Sequence, residues 1–419
     1  MTEHKFVIDG GTPLRGELKI QGAKNSVLPV IAASIMCGGE TVIENCPHIT
    51  DTYASSRIVN HLGLGCRFEN NVMTVRNTGS VSTEIPDELM REMRSSIVYM
   101  GALTGAYGEC TMTFPGGCEL GPRPIDMHIA ALKKFGVKIS DEHGVIKCRA
   151  EKRLTGAKIN LSYPSVGTTE NIILTAVTAR GETVINNAAR EPEIIDLADY
   201  LNRCGAKIKG AGNSTIVIDG VKKLYGCTYR IMPDRIAAAT YMSAAAVTGG
   251  EITLRDIDGG ICESFLSVFE QMGCKVYAYG DSIYLNAPAV LKGVNKITTM
   301  PHPGFPTDAQ AVIMAALCKS SGSSIFVENI FENRYRHVDA LVKMGADIKV
   351  IGKAAVINGV DKLYGARVSA TDLRGGAAMV IAGLGAEGKT EISDIRHIDR
   401  GYENIEKAVK TLGGKMRRV

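Results

Sequence analysis

The sequence predicts an α/β fold of two domains, each assembled from three copies of one β-α-β-α-β-β unit. Three observations carry that expectation. An amphipathic helix closed by glycine and followed by an alternating strand recurs as IVNHLGLGCRF, IAALKKFGVKI, LADYLNRCGAKI, LSVFEQMGCKV, VDALVKMGADIKV and EKAVKTLGGKM. Its glycines, Gly63, Gly136, Gly205, Gly273, Gly345 and Gly413, lie roughly 70 residues apart, the size of a supersecondary unit. A second phrase precedes these markers: a polar start, an Ala-rich apolar helix, then glycine and a β-branched strand.

KNSVLPVIAASIMCGGETVIEN opens the series, followed by TTENIILTAVTARGETVINN, DRIAAATYMSAAAVTGGEITLRD, DAQAVIMAALCKSSGSSIFVEN and DLRGGAAMVIAGLGAEGKTEISD. These helices are apolar nearly all round, which is the pattern of a buried helix. The glycine-closed helices carry charge on one face and read as surface helices. GVKIS and VIKCR, separated by DEHG, read as a strand pair with a turn between them.

Composition narrows the function. The chain has 419 residues, 45% hydrophobic and 22% charged, enough for two cores. A net charge of +4, no Trp and 5% aromatics give no footprint of a nucleic-acid surface. The 11 cysteines contain no C-x-x-C pair, which fits a reducing cytoplasm better than a disulfide framework or a zinc site. No His, Cys or Asp cluster has metal-ligand spacing, so no metal and no cofactor is expected. The opening MTEHKFVIDGG carries no cleavage signal, and the apolar stretches are too broken for membrane insertion.

The starts of the buried helices carry the candidate chemistry: Lys24-Asn25, Arg94-Ser95-Ser96, Ser165-Val166-Gly167, Asp234-Arg235, Thr307-Asp308 and Thr371-Asp372-Leu373-Arg374. Ser, Thr and Asp there are good N-caps. Capping does not account for Lys24, Arg94 or Arg374, because a cation opposes the positive end of the helix dipole. Such starts become favourable when an anion lies against them. PGGCELGPRP poses a separate question, since it sets Cys118 on a glycine-rich loop near Arg123, where a thiol either packs or reacts. The nearby cation would lower the thiol pKa and raise its reactivity.

QGAKNSVLP, PGGCELGPRPIDMH, PSVGTTE, GFPTDAQ, IFENRYRHV, TDLRGGAA and HIDRGYE, in this order, resemble the signature segments of the UDP-N-acetylglucosamine enolpyruvyl transferases. This is a branch of the superfamily that includes 5-enolpyruvylshikimate-3-phosphate (EPSP) synthase. The resemblance covers essentially the whole chain. It implies two inside-out α/β barrel domains with pseudo-threefold symmetry. Residues 1–21 with 233–419 would form domain I, on the side of the catalytic base. Residues 22–232 would form domain II, carrying the Cys118 lid loop. The site would lie in the cleft between them.

The reaction implied moves the enolpyruvyl group of phosphoenolpyruvate to the 3-hydroxyl of UDP-N-acetylglucosamine and releases phosphate. It is the first committed step of peptidoglycan synthesis, and so of cell-wall biogenesis, cell shape and division, in the cytoplasm. In the family Cys118 matches the acid that forms a covalent adduct with phosphoenolpyruvate and is the target of fosfomycin. Asp308 matches the base, although an N-cap reading of PTDAQ stays open. Lys24, Asn25, Arg123, Arg374 and Arg400 match the phosphoenolpyruvate contacts, Lys24 and Arg400 among the catalytic set. Arg94, Arg123, Pro124, Ile125, Asp126, Met127, Ser165, Val166, Gly167, Asp308, Ile330 and Arg334 match the sugar-nucleotide side. His397 would support from behind. Tyr163 departs from the pattern, since some members carry Lys there, and Gly376 loosens a helix start. Two other readings compete: a non-catalytic sugar-nucleotide binder, and a cysteine hydrolase pairing Cys118 with His128. The first has no use for an acid, and no triad motif surrounds the second pair.

Overall fold

The computed structural model describes residues 4–116 and 124–419. Cys118 and Arg123 lie outside the described residues. The chain divides into two compact units. The described residues of 22–232 form one; those up to Gln21, with Pro233–Val419, form the other.

Six helices are buried along nearly their whole length. They are α1 (Lys24–Ser34), α2 (Val98–Tyr107), α3 (Val166–Ala176), α4 (Arg235–Thr248), α5 (Thr307–Leu317) and α6 (Leu373–Gly385). In α4 every residue from Arg235 to Val247 is buried. An all-apolar surface of this kind must be covered on every side, and small residues let the backbones approach. In the unit holding both termini, α4, α5 and α6 pack on one another. In the other unit, α2 packs on α3 and α1.

Sheets cover these helices. The strand after α4, Glu251–Arg255, alternates exposed and buried residues, with Ile252 and Leu254 turned inward. It pairs in parallel with Arg15–Lys19, Leu254 opposite Leu18, and antiparallel with Ser282–Asn286, Leu254 opposite Ile283. The strand after α6, Lys389–Ser393, belongs to a sheet that also holds Phe6–Asp9 and Lys415–Arg418. Phe6 lies opposite both Ile392 and Arg418, so the first and last strands share a sheet.

The barrel expected from the resemblance does not form. Among the described residues the larger sheets have three to five strands, and none closes on itself. One face of each rests on apolar helices and the other meets water, so closure is not needed to cover the inner face.

The outer helices end as the glycine pattern predicts. Gly63, Gly136, Gly205, Gly273, Gly345 and Gly413 all adopt positive φ, from 81° to 101°. Each stands just past a helix C-cap, where a left-handed residue satisfies the last carbonyls and a Cβ would be strained.

Candidate active site

In the unit with both termini, the first turn of α5 carries Asp308. Its helix is preceded by Pro306, with no side-chain cap. The open alternative for Asp308 is thereby decided against capping. Its carboxylate instead faces two guanidinium groups: Arg334 Nη2 donates to Oδ1 at 3.1 Å and Arg374 Nη2 to Oδ2 at 3.1 Å. Both arginine side chains are 3% exposed, against 28% for Asp308. The carboxylate is therefore the open member of a buried triad. Charge-assisted bonds of this kind are the strong ones.

Each arginine has its own anchor. Arg334 Nε and Nη2 donate to the Thr307 carbonyl at 3.2 and 2.8 Å. The Arg334 carbonyl accepts from His337 Nδ1 at 3.1 Å. His337 is buried, which pulls its pKa down to about 4 and keeps it neutral. Arg374 begins the second position of α6, whose first amides are capped by Asp372. Burial opposes the Arg374 charge, but Tyr402, Asp308 and Asp234 outweigh it and hold the group cationic. Its Nε is buried with no hydrogen-bond partner among the described residues. A buried donor left in this way costs on the order of 1–3 kcal/mol and is relieved by an anionic oxygen.

Glu328 organises the strand end that leads to Ile330. Its carboxylate accepts from Thr299, from Thr307 Oγ1 at 3.0 Å, and from the amides of Ile330 and Phe331 at 2.7 and 3.1 Å. Ile330 is thus tied to the residue that opens α5. Arg400 and His397 lie half-buried on the turn after Lys389–Ser393. Gly376 has a packing reason: a Cβ there would meet Ile398 Cγ1 at 2.6 Å, so α6 can approach this turn only with glycine.

In the other unit, Lys24 begins α1 and pairs with Asp51 at 2.8 Å, with side chains 10% and 2% exposed. That pairing explains how a cation tolerates a helix start. Asn25 beside it is exposed. Ser26, next in the turn, donates to Asp196. Asp196 also accepts from Tyr229 at 2.7 Å, and burial raises its pKa.

Arg94, Asp126 and Gly167 gather around His128. Asn171 Nδ2 donates to the Ile97 carbonyl at 3.1 Å and to His128 Nδ1 at 2.8 Å. His128 Nδ1 therefore accepts, and the ring proton sits on Nε2. A Cβ on Gly167 would meet His128 Cε1 at 3.3 Å. Burial first, then the Arg94 charge, lowers the His128 pKa to about 4, while Asp126 opposes them. Ser165 caps α3 by accepting from Thr168 N at 3.3 Å. Val166 begins α3, and Arg94 Nη1 donates to the Pro115 carbonyl at 3.2 Å. Pro124 and Asp126 are exposed, Ile125 is buried and Met127 half-buried around the start of the 126–134 helix. Tyr163 is 41% exposed.

Asp51, His337, Tyr402 and Glu328 were not singled out by sequence. Asp51 sits in the first turn of a surface helix, where an acid already has a dipole reason to be. Nothing in the spacing links it to Lys24.

Each unit of this α/β chain carries a polar, cation-bearing cluster at its buried helix starts, and comparisons with known proteins give the class: the enolpyruvyl transferases. The EPSP synthase (3-phosphoshikimate 1-carboxyvinyltransferase) family matches residues 8–409. An enolpyruvyl transferase from Streptomyces tendae superposes with a TM-score of 0.90 at 22% identity, covering 100% of this chain and 99% of that one. EPSP synthase from Acinetobacter baumannii gives 0.76 at 20%, with both chains fully covered. At these identities the likeness is one of fold. Sequence relatives are more specific. UDP-N-acetylglucosamine 1-carboxyvinyltransferase 2 of Caldanaerobacter subterraneus is 49% identical over 415 residues, 99% of each chain. UDP-N-acetylglucosamine 1-carboxyvinyltransferase 1 of Clostridium acetobutylicum is 46% identical over 418 residues, 99% of this chain and 100% of that one. The chain belongs to the EPSP synthase family and, within it, to the UDP-N-acetylglucosamine 1-carboxyvinyltransferases.

Proposed function

We propose that the chain transfers the enolpyruvyl group of phosphoenolpyruvate to the 3-hydroxyl of UDP-N-acetylglucosamine, releasing phosphate, as the first committed step of peptidoglycan synthesis in the cytoplasm. The observation that carries the mechanism is the placement of Asp308. Its carboxylate leaves its own helix uncapped and sits partly open between two buried arginines.

Asp308 takes the proton of the attacking hydroxyl as its oxygen bonds C2 of phosphoenolpyruvate. C3 gains a proton in the same addition, and Cys118 is the donor read from the resemblance. Elimination then expels phosphate and returns the C3 proton to the protein. Lys24, Asn25, Arg123, Arg374 and Arg400 hold phosphoenolpyruvate. The orphaned Nε of Arg374 supports an anionic oxygen beside it. Arg94, Arg123, Pro124 to Met127, Ser165 to Gly167, Asp308, Ile330 and Arg334 hold the sugar nucleotide. The start of α3 offers amides suited to a diphosphate.

In this reading residues 1–21 with 233–419 are the base-carrying domain and 22–232 the domain of the Cys118 loop. The six buried helices support a reading of six copies of one β-α-β-α-β-β unit. The test is phosphate release. Phosphoenolpyruvate with UDP-N-acetylglucosamine gives phosphate, and shikimate 3-phosphate in place of the sugar nucleotide does not; background release with both overturns the reading. Fosfomycin labels the wild-type chain covalently and leaves Cys118→Ala unlabelled. Labelling that persists in that variant places the reactive thiol elsewhere.

A further inference from the structure

We propose that Tyr402 is a positioning residue that aims Arg374 at Asp308 through a directed hydrogen-bond relay ending on α4. The inference rests on the reading of Asp308 and Arg374 as site residues. Tyr402 is 1% exposed and its hydroxyl touches two groups. Arg374 Nη1 lies 3.1 Å away and Thr240 Oγ1 2.8 Å away.

The direction of each bond follows by elimination. Guanidinium nitrogens only donate, so the Tyr402 oxygen accepts from Arg374. Thr240 spends its own proton on the Ile236 carbonyl at 2.8 Å. The Tyr402 proton therefore goes to Thr240 Oγ1. Burial holds the Tyr402 pKa above its ordinary value, so the phenol keeps that proton. The relay runs Arg374, Tyr402, Thr240, Ile236, and it ends on a backbone carbonyl in the first turn of α4.

The ring does a second job. Arg374 Cζ lies 5.5 Å from the Tyr402 ring centroid, within cation–π range. The guanidinium is thus fixed by one acceptor and one ring face, and its free edge carries Nη2 to Asp308. Without the hydroxyl, Nη1 becomes a second unsatisfied donor beside Nε, and the group turns to find an acceptor.

The test compares Tyr402→Phe, Thr240→Val and Thr240→Ser with the wild-type chain. Tyr402→Phe keeps the ring and loses the acceptor. It is expected to lower kcat/KM for phosphoenolpyruvate by between about 10-fold and 100-fold, the range for a bond to a charged group. KM for UDP-N-acetylglucosamine stays within about twofold. Thr240→Val removes only the next link and shows a smaller loss on phosphoenolpyruvate, while Thr240→Ser restores wild-type behaviour. A crystal structure of Tyr402→Phe shows Arg374 turned away from Asp308. Equal losses on both substrates, or unchanged kinetics with Arg374 still on Asp308, overturn the proposal. Should Tyr402→Phe fail to fold, the Thr240 pair decides it in the same way. An inactive wild-type chain would instead sink the functional reading, and the crystal structure would still report on Arg374.

Discussion

In the unit with both termini, Arg334 and Arg374 grip the Asp308 carboxylate from two sides. In the 22–232 unit, His128 and Glu170 are buried and held neutral instead. Burial, then Glu193 and Glu191, raises the Glu170 pKa to about 8, and burial lowers that of His128 to about 4. Lys24 and Asp51 form a buried ion pair at a helix start there. The contrast teaches that similar polar helix starts serve different ends. One unit leaves a carboxylate partly open between two buried guanidinium groups; the other holds His128 and Glu170 neutral and pairs Lys24 with Asp51.

The contrast breaks most sharply at Asp308. Asp308→Asn keeps the shape and removes the base, and is expected to lower kcat by about 10³-fold, within the range for general-base loss. A phosphate-release time course reads it. Next is Lys24→Met, which takes the Lys24 cation away from the buried Asp51 carboxylate. We expect a loss of stability of about 3 kcal/mol in urea unfolding. Adding Asp51→Leu recovers most of that stability without recovering phosphoenolpyruvate binding. Loss of binding together with stability restored by the double variant separates the pair's ligand role from its folding role.

The smallest effect is at Glu170. A carboxyl whose folded pKa is raised contributes fully below the unfolded value of about 4.5 and loses that contribution as pH rises through about 8. Glu170→Gln cannot ionise in either state. The variant should therefore gain stability on the wild-type chain as pH rises from 4.5 to 8, the two being close at pH 4.5. An equal difference at both pH values would show that packing rather than ionisation is responsible. His128 has the opposite sign: its neutral form is favoured by folding, so stability falls as pH drops from 6.5 toward 4.

Much of the fold was legible. The six marker glycines could be read because a left-handed helix terminus selects glycine locally. The Ala-rich helices could be read because burial on all sides leaves no polar stripe. Closure of the sheets was not legible, since an alternating strand looks the same in an open sheet and in a barrel. At the site, Asp308 and Arg374 stood out by helix position and by resemblance. Asp51 and Tyr402 did not, because their partners are chosen by tertiary packing: Asp51 reaches Lys24 from a surface helix, and Tyr402 reaches Arg374 across 28 residues of sequence.

The most direct test of the division between the units is to measure phosphoenolpyruvate binding and phosphate release side by side in Asp308→Asn and Lys24→Met. The account predicts that Asp308→Asn binds phosphoenolpyruvate but turns over about 10³-fold more slowly, while Lys24→Met fails at binding. Wild-type turnover in Asp308→Asn, or wild-type binding in Lys24→Met, would contradict it.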